Sequence, residues 1–245
     1  MTAELTIPLI SSAVALISAG LALWGSSRTA RLSAELQALN QDKQRRIDSE
    51  KALSRYREPL ARAAYDLQSR LYNILKKNLI SKFFESGSER ERAYVVDSTV
   101  FLVAQYFAWT EIIRRDIQYI DQGQDIQTRR LARLLDDINT IVRTDRFDRS
   151  FRIFAGEQRA IGERMIRDGP RGAECLGYAG FLDHLSKAPD PLLEYVRQDV
   201  RHLNTQHESA APRLVALQNA VIDLLAYLDP DFIRFPENRR TKVVK

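Results

Sequence analysis

Residues 5–24 read LTIPLISSAVALISAGLALW and contain no charged side chain. As an α-helix these residues rise about 30 Å, which is the thickness of the hydrocarbon core of a bilayer. The proline lies in the first turn of this helix, where its missing N–H group costs little. We therefore predict one membrane-spanning helix that includes Leu5, Pro8, Ala15, Gly20 and Trp24.

The charges beside this segment predict its orientation. Arg28 and Arg31 follow it directly, and positive residues mark the cytoplasmic side of a span. We expect residues 1–4 outside and the long C-terminal part in the cytoplasm, at the inner membrane of a bacterium. A single cysteine, Cys175, agrees with a reducing compartment.

Two other interpretations of the segment stay open. A cleaved signal peptide needs a positively charged start, whereas the chain begins MTAEL with Glu4. The segment can also be a buried helix of a large core. A second hydrophobic stretch, residues 94–109, contains Asp97 and Gln105 and is too short between charges to span, so we predict a single pass.

Residues 25–58 are predicted to form a helical stalk, since residues 28–58 contain no Gly or Pro. Leu32, Leu36 and Leu39 have heptad spacing, but the next two positions of the repeat are basic. This allows at most a short coiled coil. A solvated charged helix and a dimer seam both remain compatible with the stalk.

Residues 59–235 are predicted to fold into a multi-helix bundle, which makes the protein all-α. Pro59 predicts a boundary or kink, because the residue before proline disfavours helical dihedrals. Ser88 with Glu91, and Asp190 with Pro191, have the spacing of helix N-termini. Apolar residues recur at helical spacing in the ranges 60–84, 89–121, 125–143, 157–167, 175–187, 191–203 and 211–228.

Three segments of this part are not assigned to helices. Residues 146–154 (RFDRSFRIF) are compatible with a short strand or an irregular segment. GPRG at residues 169–172 predicts a turn. Residues 236–245 are predicted to form a flexible basic tail.

The sequence contains no recognisable catalytic or cofactor motif. No glycine-rich phosphate loop is present, and His202 and His207 are five residues apart, which does not suit two metal ligands on one helix. We therefore expect no cofactor, no metal site and no assigned catalytic residue. A free cysteine such as Cys175 is by default a core residue.

Charge is distributed unevenly along the chain. There are 37 Lys and Arg residues against 32 Asp and Glu, a net charge of +5. Residues 28–58 carry eight basic and five acidic residues (+3), residues 59–84 five and one (+4), and residues 85–121 four and seven (−3). The membrane-proximal part is thus basic, which suits anionic lipid head groups. The aromatic residues are spaced for a core, and no nucleic-acid partner is expected.

Several strings resemble a group of uncharacterised bacterial proteins that have one N-terminal membrane anchor and a helical cytoplasmic domain. The strings are YREPL (56–60), YDLQSRLYNI (65–74), QYFAW (105–109) with Glu111, and DPDFIRF (229–235) followed by Pro236. The resemblance covers most of residues 54–240. It implies an architecture and no activity.

Three functions are compatible with these observations. The leading hypothesis is a non-enzymatic scaffold at the cytoplasmic face that binds a protein partner or a second copy of the chain. The second is a membrane-tethered enzyme that uses Cys175 or the charged residues Glu111, Arg114 and Asp116. The third is a sensor of anionic lipid.

Overall fold

The computed structural model describes residues 3–120, 126–170, 172–187 and 189–244. Within these ranges the side chains of residues 3–15, 17, 19, 45, 46, 49, 50, 52, 53, 116–120, 126 and 127 are not described. The helices are α1 (Ala3–Lys76), α2 (Glu89–Ile120), α3 (Ile126–Arg143), α4 (Ala155–Arg164), α5 (Tyr178–Lys187), α6 (Pro191–His202) and α7 (His207–Leu228). A π-helical turn (Ser81–Glu85), a 3₁₀ turn (Glu237–Arg239) and two strands, β1 (Ile166–Gly169) and β2 (Gly172–Cys175), complete the elements. The predicted all-α class is confirmed.

The chain divides into two compact units, Met1–Asp48 and Ser49–Lys245. In the first unit, the side chains of Leu32, Leu36 and Leu39 are 51%, 57% and 67% exposed on helix α1. In the part of the chain that the structure describes, no helix is both long and apolar enough to cross a bilayer. Of the predicted span, the side chains of residues 5–15 lie outside the described part.

The second unit is built around α2. The middle of this helix is buried, with Val100, Ala104 and Ala108 fully enclosed, as its apolar composition predicts. Helices α4, α5 and α6 and strand β2 pack on α2, and α3 packs on α7. Gly162 lets the backbone of α4 come close to that of α2, because a Cβ atom at this position would lie 2.6 Å from the carbonyl oxygen of Phe107.

Both predicted helix starts are confirmed. The Ser88 backbone N–H donates to Glu91 Oε2 (2.8 Å), and the Glu91 N–H donates back to Ser88 Oγ (3.4 Å). At the start of α6, Asp190 Oδ1 accepts a hydrogen bond of 3.1 Å from the Leu192 N–H. Each side chain thus satisfies a backbone donor that has no partner within the first helical turn.

The predicted boundary or kink at Pro59 is wrong as a helix end, since α1 continues to Lys76. A proline inside a helix costs about 3 kcal/mol. Burial on both sides of it outweighs this cost, because Tyr56 and Leu60 are both buried in the same core. The helix predicted for residues 60–84 instead ends eight residues early, and the π-helical turn follows after Asn78, whose φ is 54°.

A β-hairpin replaces two predicted helix ends. Residues 166, 167 and 175 were expected in helices, but β1 and β2 pair antiparallel, with Ile166 opposite Cys175 and Gly169 opposite Gly172. Pro170, within the turn predicted at GPRG, is in a turn conformation after β1, and Arg171 lies outside the described residues. Gly172 has a φ of 108°, which glycine adopts without strain.

Residues 146–154 form no strand, although they are fully described. They form an irregular loop that Arg213 of α7 ties to the end of α3 through backbone carbonyls of both. The buried Arg213 guanidinium donates to the carbonyl oxygens of Ile141 (2.6 Å), Val142 (2.9 Å), Thr144 (3.0 Å), Asp148 (2.8 Å) and Ser150 (3.0 Å).

The end of the chain packs on α7 within the second unit, in contrast to the flexible tail predicted for residues 236–245. Val243 is buried, and its N–H donates to Gln218 Oε1 (3.1 Å) and Asn219 Oδ1 (3.0 Å). Arg240 forms a buried ion pair with Asp229. Amide side chains of α7 therefore fix the described part of this tail, up to residue 244.

Candidate functional site

A cavity of about 420 Å³ lies between α2, α3 and α4. Its volume falls within the range of small-ligand sites, about 300–1,000 Å³. Apolar side chains, among them Phe107, Leu131 and Leu135, form part of its wall. Phe107 and Leu131 are themselves buried, whereas Leu135 is half-buried and Ala132 is exposed. An occupant with an apolar surface can therefore bury against these last two side chains, both of α3.

Four arginines line the cavity beside these apolar groups: Arg114, Arg129, Arg143 and Arg159. Two carboxylates, Glu111 and Asp136, offset part of this charge. The lining therefore carries a net charge of +2, four minus two. Guanidinium groups bind carboxylates and phosphates in bidentate geometry, so the cavity suits an occupant that is apolar on one side and anionic on the other.

Glu111 is buried at one edge of this cavity and is fully paired. Arg114 donates to both of its oxygens (2.6 and 2.7 Å), and Arg115 Nε donates to Oε1 (2.8 Å). Burial raises the pKa of Glu111, but the hydrogen bonds from the two arginines outweigh it and hold the pKa below the usual range. Glu111 is thus a constant negative charge and not a proton donor near neutral pH.

The same network connects α2 with α4, since Arg115 Nη2 lies 2.9 Å from Glu163 Oε1. Helix α4 is further fixed by the buried Gln158, whose Nε2 donates to the carbonyl oxygens of Ile153 (2.8 Å) and Asn139 (3.1 Å). Arg159, the next residue, is exposed and lines the cavity. The position of this arginine thus follows from a well-anchored helix.

The residues proposed for an enzymatic function do not assemble into a catalytic group. Glu111 and Arg114 form a structural ion pair, and the side chain of Asp116 lies outside the described part. Burial raises the pKa of Cys175 to about 12, against a small opposing effect of Arg167. Its Sγ lies 3.4 Å from the carbonyl oxygen of Leu176. A thiol with this pKa supplies almost no thiolate at neutral pH.

No group of three or more potential metal ligands occurs among the described residues. His184 Nε2 lies 3.2 Å from Asp190 Oδ2, and the same oxygen accepts a hydrogen bond from Arg164 Nε (2.8 Å). This carboxylate also caps α6. The histidine therefore belongs to a contact between helices.

The residues predicted to span the membrane and to set its orientation lie in the first unit. Gly20 and Trp24 are exposed on α1, as are Arg28 and Arg31. The Arg28 guanidinium lies 5.5 Å from the ring centroid of Trp24. Leu5, Pro8 and Ala15 lie outside the described side chains.

Sequence reasoning named Glu111 and Arg114, which line the cavity, but missed Arg129, Arg143 and Arg159. Arg129 and Arg143 occupy the polar side of an amphipathic helix, where arginine is common on any solvated surface. Only the packing of α2, α3 and α4 brings them near Arg159. No spacing rule could have found them, because the cavity depends on helices that are separate in sequence.

Comparison of the chain with known protein families, curated proteins and solved structures found no match.

Proposed function

We propose that the chain is a single-pass membrane protein whose helical domain binds a protein partner at the cytoplasmic face. The cavity between α2, α3 and α4 carries this proposal. Its apolar wall and its arginines suit an acidic amphipathic segment, with apolar side chains against Ala132 and Leu135 and carboxylates near Arg143 and Arg159. No catalytic constellation competes for this cavity among the described residues.

The membrane part of the proposal rests on sequence. Residues 5–24 have the length and the apolar composition of a span, and Arg28 and Arg31 follow it. An anchor of this kind would hold the helical domain near the membrane. The partner would then be a membrane protein or a protein recruited to the membrane.

Membrane fractionation tests the anchor. The double substitution Ala15→Asp and Leu16→Asp should release the protein, because each charge at a span centre costs about 2.5–3.5 kcal/mol. The matched control, Ala38→Asp with Leu39→Asp, adds the same charges outside the predicted span and should stay in the membrane fraction. Equal behaviour of the two variants, or an N-terminus cut near Gly25, would refute the anchor.

Orientation is tested with C-terminal reporters. A reporter that is active only in the cytoplasm, fused after Lys245, should be active, and one that is active only outside should be silent. The reverse pattern would contradict the cytoplasmic domain.

Photo-crosslinking in intact cells tests the cavity. A photoreactive residue at Ala132, on the cavity wall, should give one discrete adduct with another polypeptide, and one at the exposed Asp183 of α5 should not. The double substitution Arg143→Glu and Arg159→Glu should abolish the adduct, since it reverses two of the charges. An adduct with a second copy of the chain would show that the partner is the same protein in a homo-oligomer. Equal labelling from both positions, or an adduct indifferent to charge reversal, would refute the proposal.

One observation favours a second function, the binding of anionic lipid. Lys76, Lys77 and Lys82 are exposed near the end of α1 and in the turn that follows. Anionic membrane surfaces attract such groups by about 1 kcal/mol each. Residues 28–245 should then bind vesicles that contain anionic lipid and dissociate as salt rises. Binding that ignores lipid charge would exclude this function.

A further inference from the structure

A second cavity, of about 370 Å³, lies on the other side of α4, where the loop before this helix meets α6. Its charged and aromatic lining residues are Arg149, Arg152, Phe154, Glu157, Tyr195, Asp199 and His202. None of them lines the cavity between α2, α3 and α4, so a ligand here does not require the proposed partner.

The loop that carries the two arginines is held in an unusual conformation. Phe151, between them, has a φ of 57°, which is rare for a bulky residue and persists only where the surroundings enforce it. The Phe151 N–H donates to Asp199 Oδ2 (3.0 Å), and the carbonyl of the preceding Ser150 accepts from Arg213. Both bonds hold the peptide group that precedes Phe151, and on its other side the Arg152 N–H donates to the Arg149 carbonyl oxygen (3.0 Å). The backbone around this strained residue is therefore fixed beside the cavity.

The side chains suit an anion. Arg149 and Arg152 bring two guanidinium groups to the cavity, and His202 adds an imidazole from α6. Arginine pairs with the oxygens of phosphate at close to twice the strength of a neutral hydrogen bond. Two carboxylates, Glu157 and Asp199, line the same cavity, so its formal charge is zero, two minus two, and the attraction for an anion comes from the arginines themselves. Glu157 Oε2 accepts a hydrogen bond of 2.8 Å from the Phe154 N–H.

Two exposed aromatic rings flank the same charges. Tyr195 is 62% exposed and Phe154 56% exposed, and the Arg152 guanidinium lies 5.3 Å from the Phe154 ring centroid. Exposed rings of this kind bind flat aromatic ligands by stacking. A ligand that joins a flat ring to an anion would use both features at once.

Asp199 limits the affinity of such a ligand at neutral pH. Burial raises its pKa to about 6, against the Phe151 N–H bond and the charges of His202 and Arg213, while Asp148 adds to the rise. Above this pH the carboxylate is ionised and repels an anion. The cavity therefore combines arginines that attract an anion with an Asp199 carboxylate whose repulsion is lost when it is protonated or replaced.

We propose that this cavity binds a phosphate monoester that carries a flat aromatic ring, which is the chemistry of a mononucleotide. Arg149 and Arg152 bind the phosphate, and Tyr195 stacks on the ring.

Calorimetric titration of the full-length protein in detergent micelles tests the proposal. Adenosine 5′-monophosphate is the probe, and adenosine and inorganic phosphate represent its two parts. The monophosphate should bind at least about tenfold more tightly than either part, since each part reaches only one of the two contacts. Equal affinity for all three, or no binding of the monophosphate at millimolar concentration, would overturn the proposal.

Variants assign the contacts. Arg149→Gln with Arg152→Gln should weaken binding about tenfold or more, which corresponds to the loss of one charge-assisted hydrogen bond. Arg133→Gln, an exposed arginine outside both cavities, should leave it unchanged. Tyr195→Ser should weaken binding of the monophosphate but not of inorganic phosphate.

Asp199→Asn provides a test in the opposite direction. The asparagine amide oxygen can still accept the Phe151 N–H, but it carries no charge. At pH 7.5 this variant should bind the monophosphate about fivefold more tightly, because a like charge near the phosphate is removed. Unchanged or weaker binding, in a variant with a native circular dichroism spectrum, would contradict the placement of the phosphate.

Discussion

The buried guanidinium of Arg213 is the strongest single constraint on the loop before α4, and its replacement gives a sharp test. Its five N–H groups meet five backbone carbonyls between residues 141 and 150. Arg213→Met keeps a long side chain of similar reach and removes all five donors. The loop then has to find other hydrogen-bond donors or rearrange.

The magnitude follows from the burial of these carbonyls. The hydrogen bonds to Ser150 and Val142 are buried and the other three are partly buried. A buried acceptor without a partner costs about 1–3 kcal/mol. This full cost applies to the Ser150 carbonyl, because the Val142 carbonyl also accepts a hydrogen bond of 3.2 Å from the Ile153 N–H. Water can reach the other three carbonyls, so their loss adds less. We expect Arg213→Met to lower the free energy of unfolding by about 4 kcal/mol, a large part of the 5–15 kcal/mol typical of a domain.

Near-ultraviolet circular dichroism of the full-length protein during heating measures this loss. A decrease of about 4 kcal/mol should lower Tm by about 10 °C in a unit of this size. Arg213→Lys, which keeps the charge and up to three donors, should lie between wild type and Arg213→Met. Arg133→Met, an exposed control, should shift Tm by less than about 2 °C. A methionine variant that resembles this control would refute the role given to the guanidinium.

Three further predictions concern separate parts of the second unit. Asp199→Asn should stabilise the protein by about 1–2 kcal/mol at pH 7.5, after allowance for screening by water, and should have no effect on stability near pH 3. The reason is that the Asp199 carboxyl ionises near pH 3.8 in the unfolded chain and near pH 6 in the folded one, so its ionisation costs stability only at the higher pH. Equal stabilisation at both pH values in thermal scans would refute this. Gly162→Ala should destabilise by about 1–3 kcal/mol through its contact with α2, whereas Gly156→Ala, which meets open space, should be neutral or stabilising in urea titrations. Cys175 is half-buried and should react with a chromogenic disulfide reagent at pH 7.5 far more slowly in the folded than in the unfolded protein, because its raised pKa leaves little thiolate; equally rapid labelling of both would contradict the raised pKa.

Local signals predicted most of the helices. The N-termini of α2 and α6 depend on hydrogen bonds between neighbours in sequence, and the spacing of Ser88 with Glu91 and of Asp190 with Pro191 is enough to find them. The buried middle of α2 follows from its composition in the same way. Such features need no knowledge of the rest of the chain.

Long-range packing explains the errors. Pro59 stops a helix in isolation, but here the buried residues on both sides keep α1 helical. The hairpin strands IRDG and GAEC have almost no strand-forming side chains, so pairing across the turn determines them. Residues 146–154 remained ambiguous because their carbonyl partner, Arg213, lies more than sixty residues later. The candidate cavity has the same origin, since three separate helices form it.

Helix α4 is a shared partition, with one cavity on each side of it. Gln158 faces one cavity and bonds to Ile153, which lines the other. A shift of α4 that widens one cavity would therefore alter the second. If occupants of the two cavities favour different positions of α4, their binding free energies are coupled, and thermodynamic reciprocity makes the effect of each on the other equal. Such a partition would allow a small anion to tune the affinity for a much larger partner.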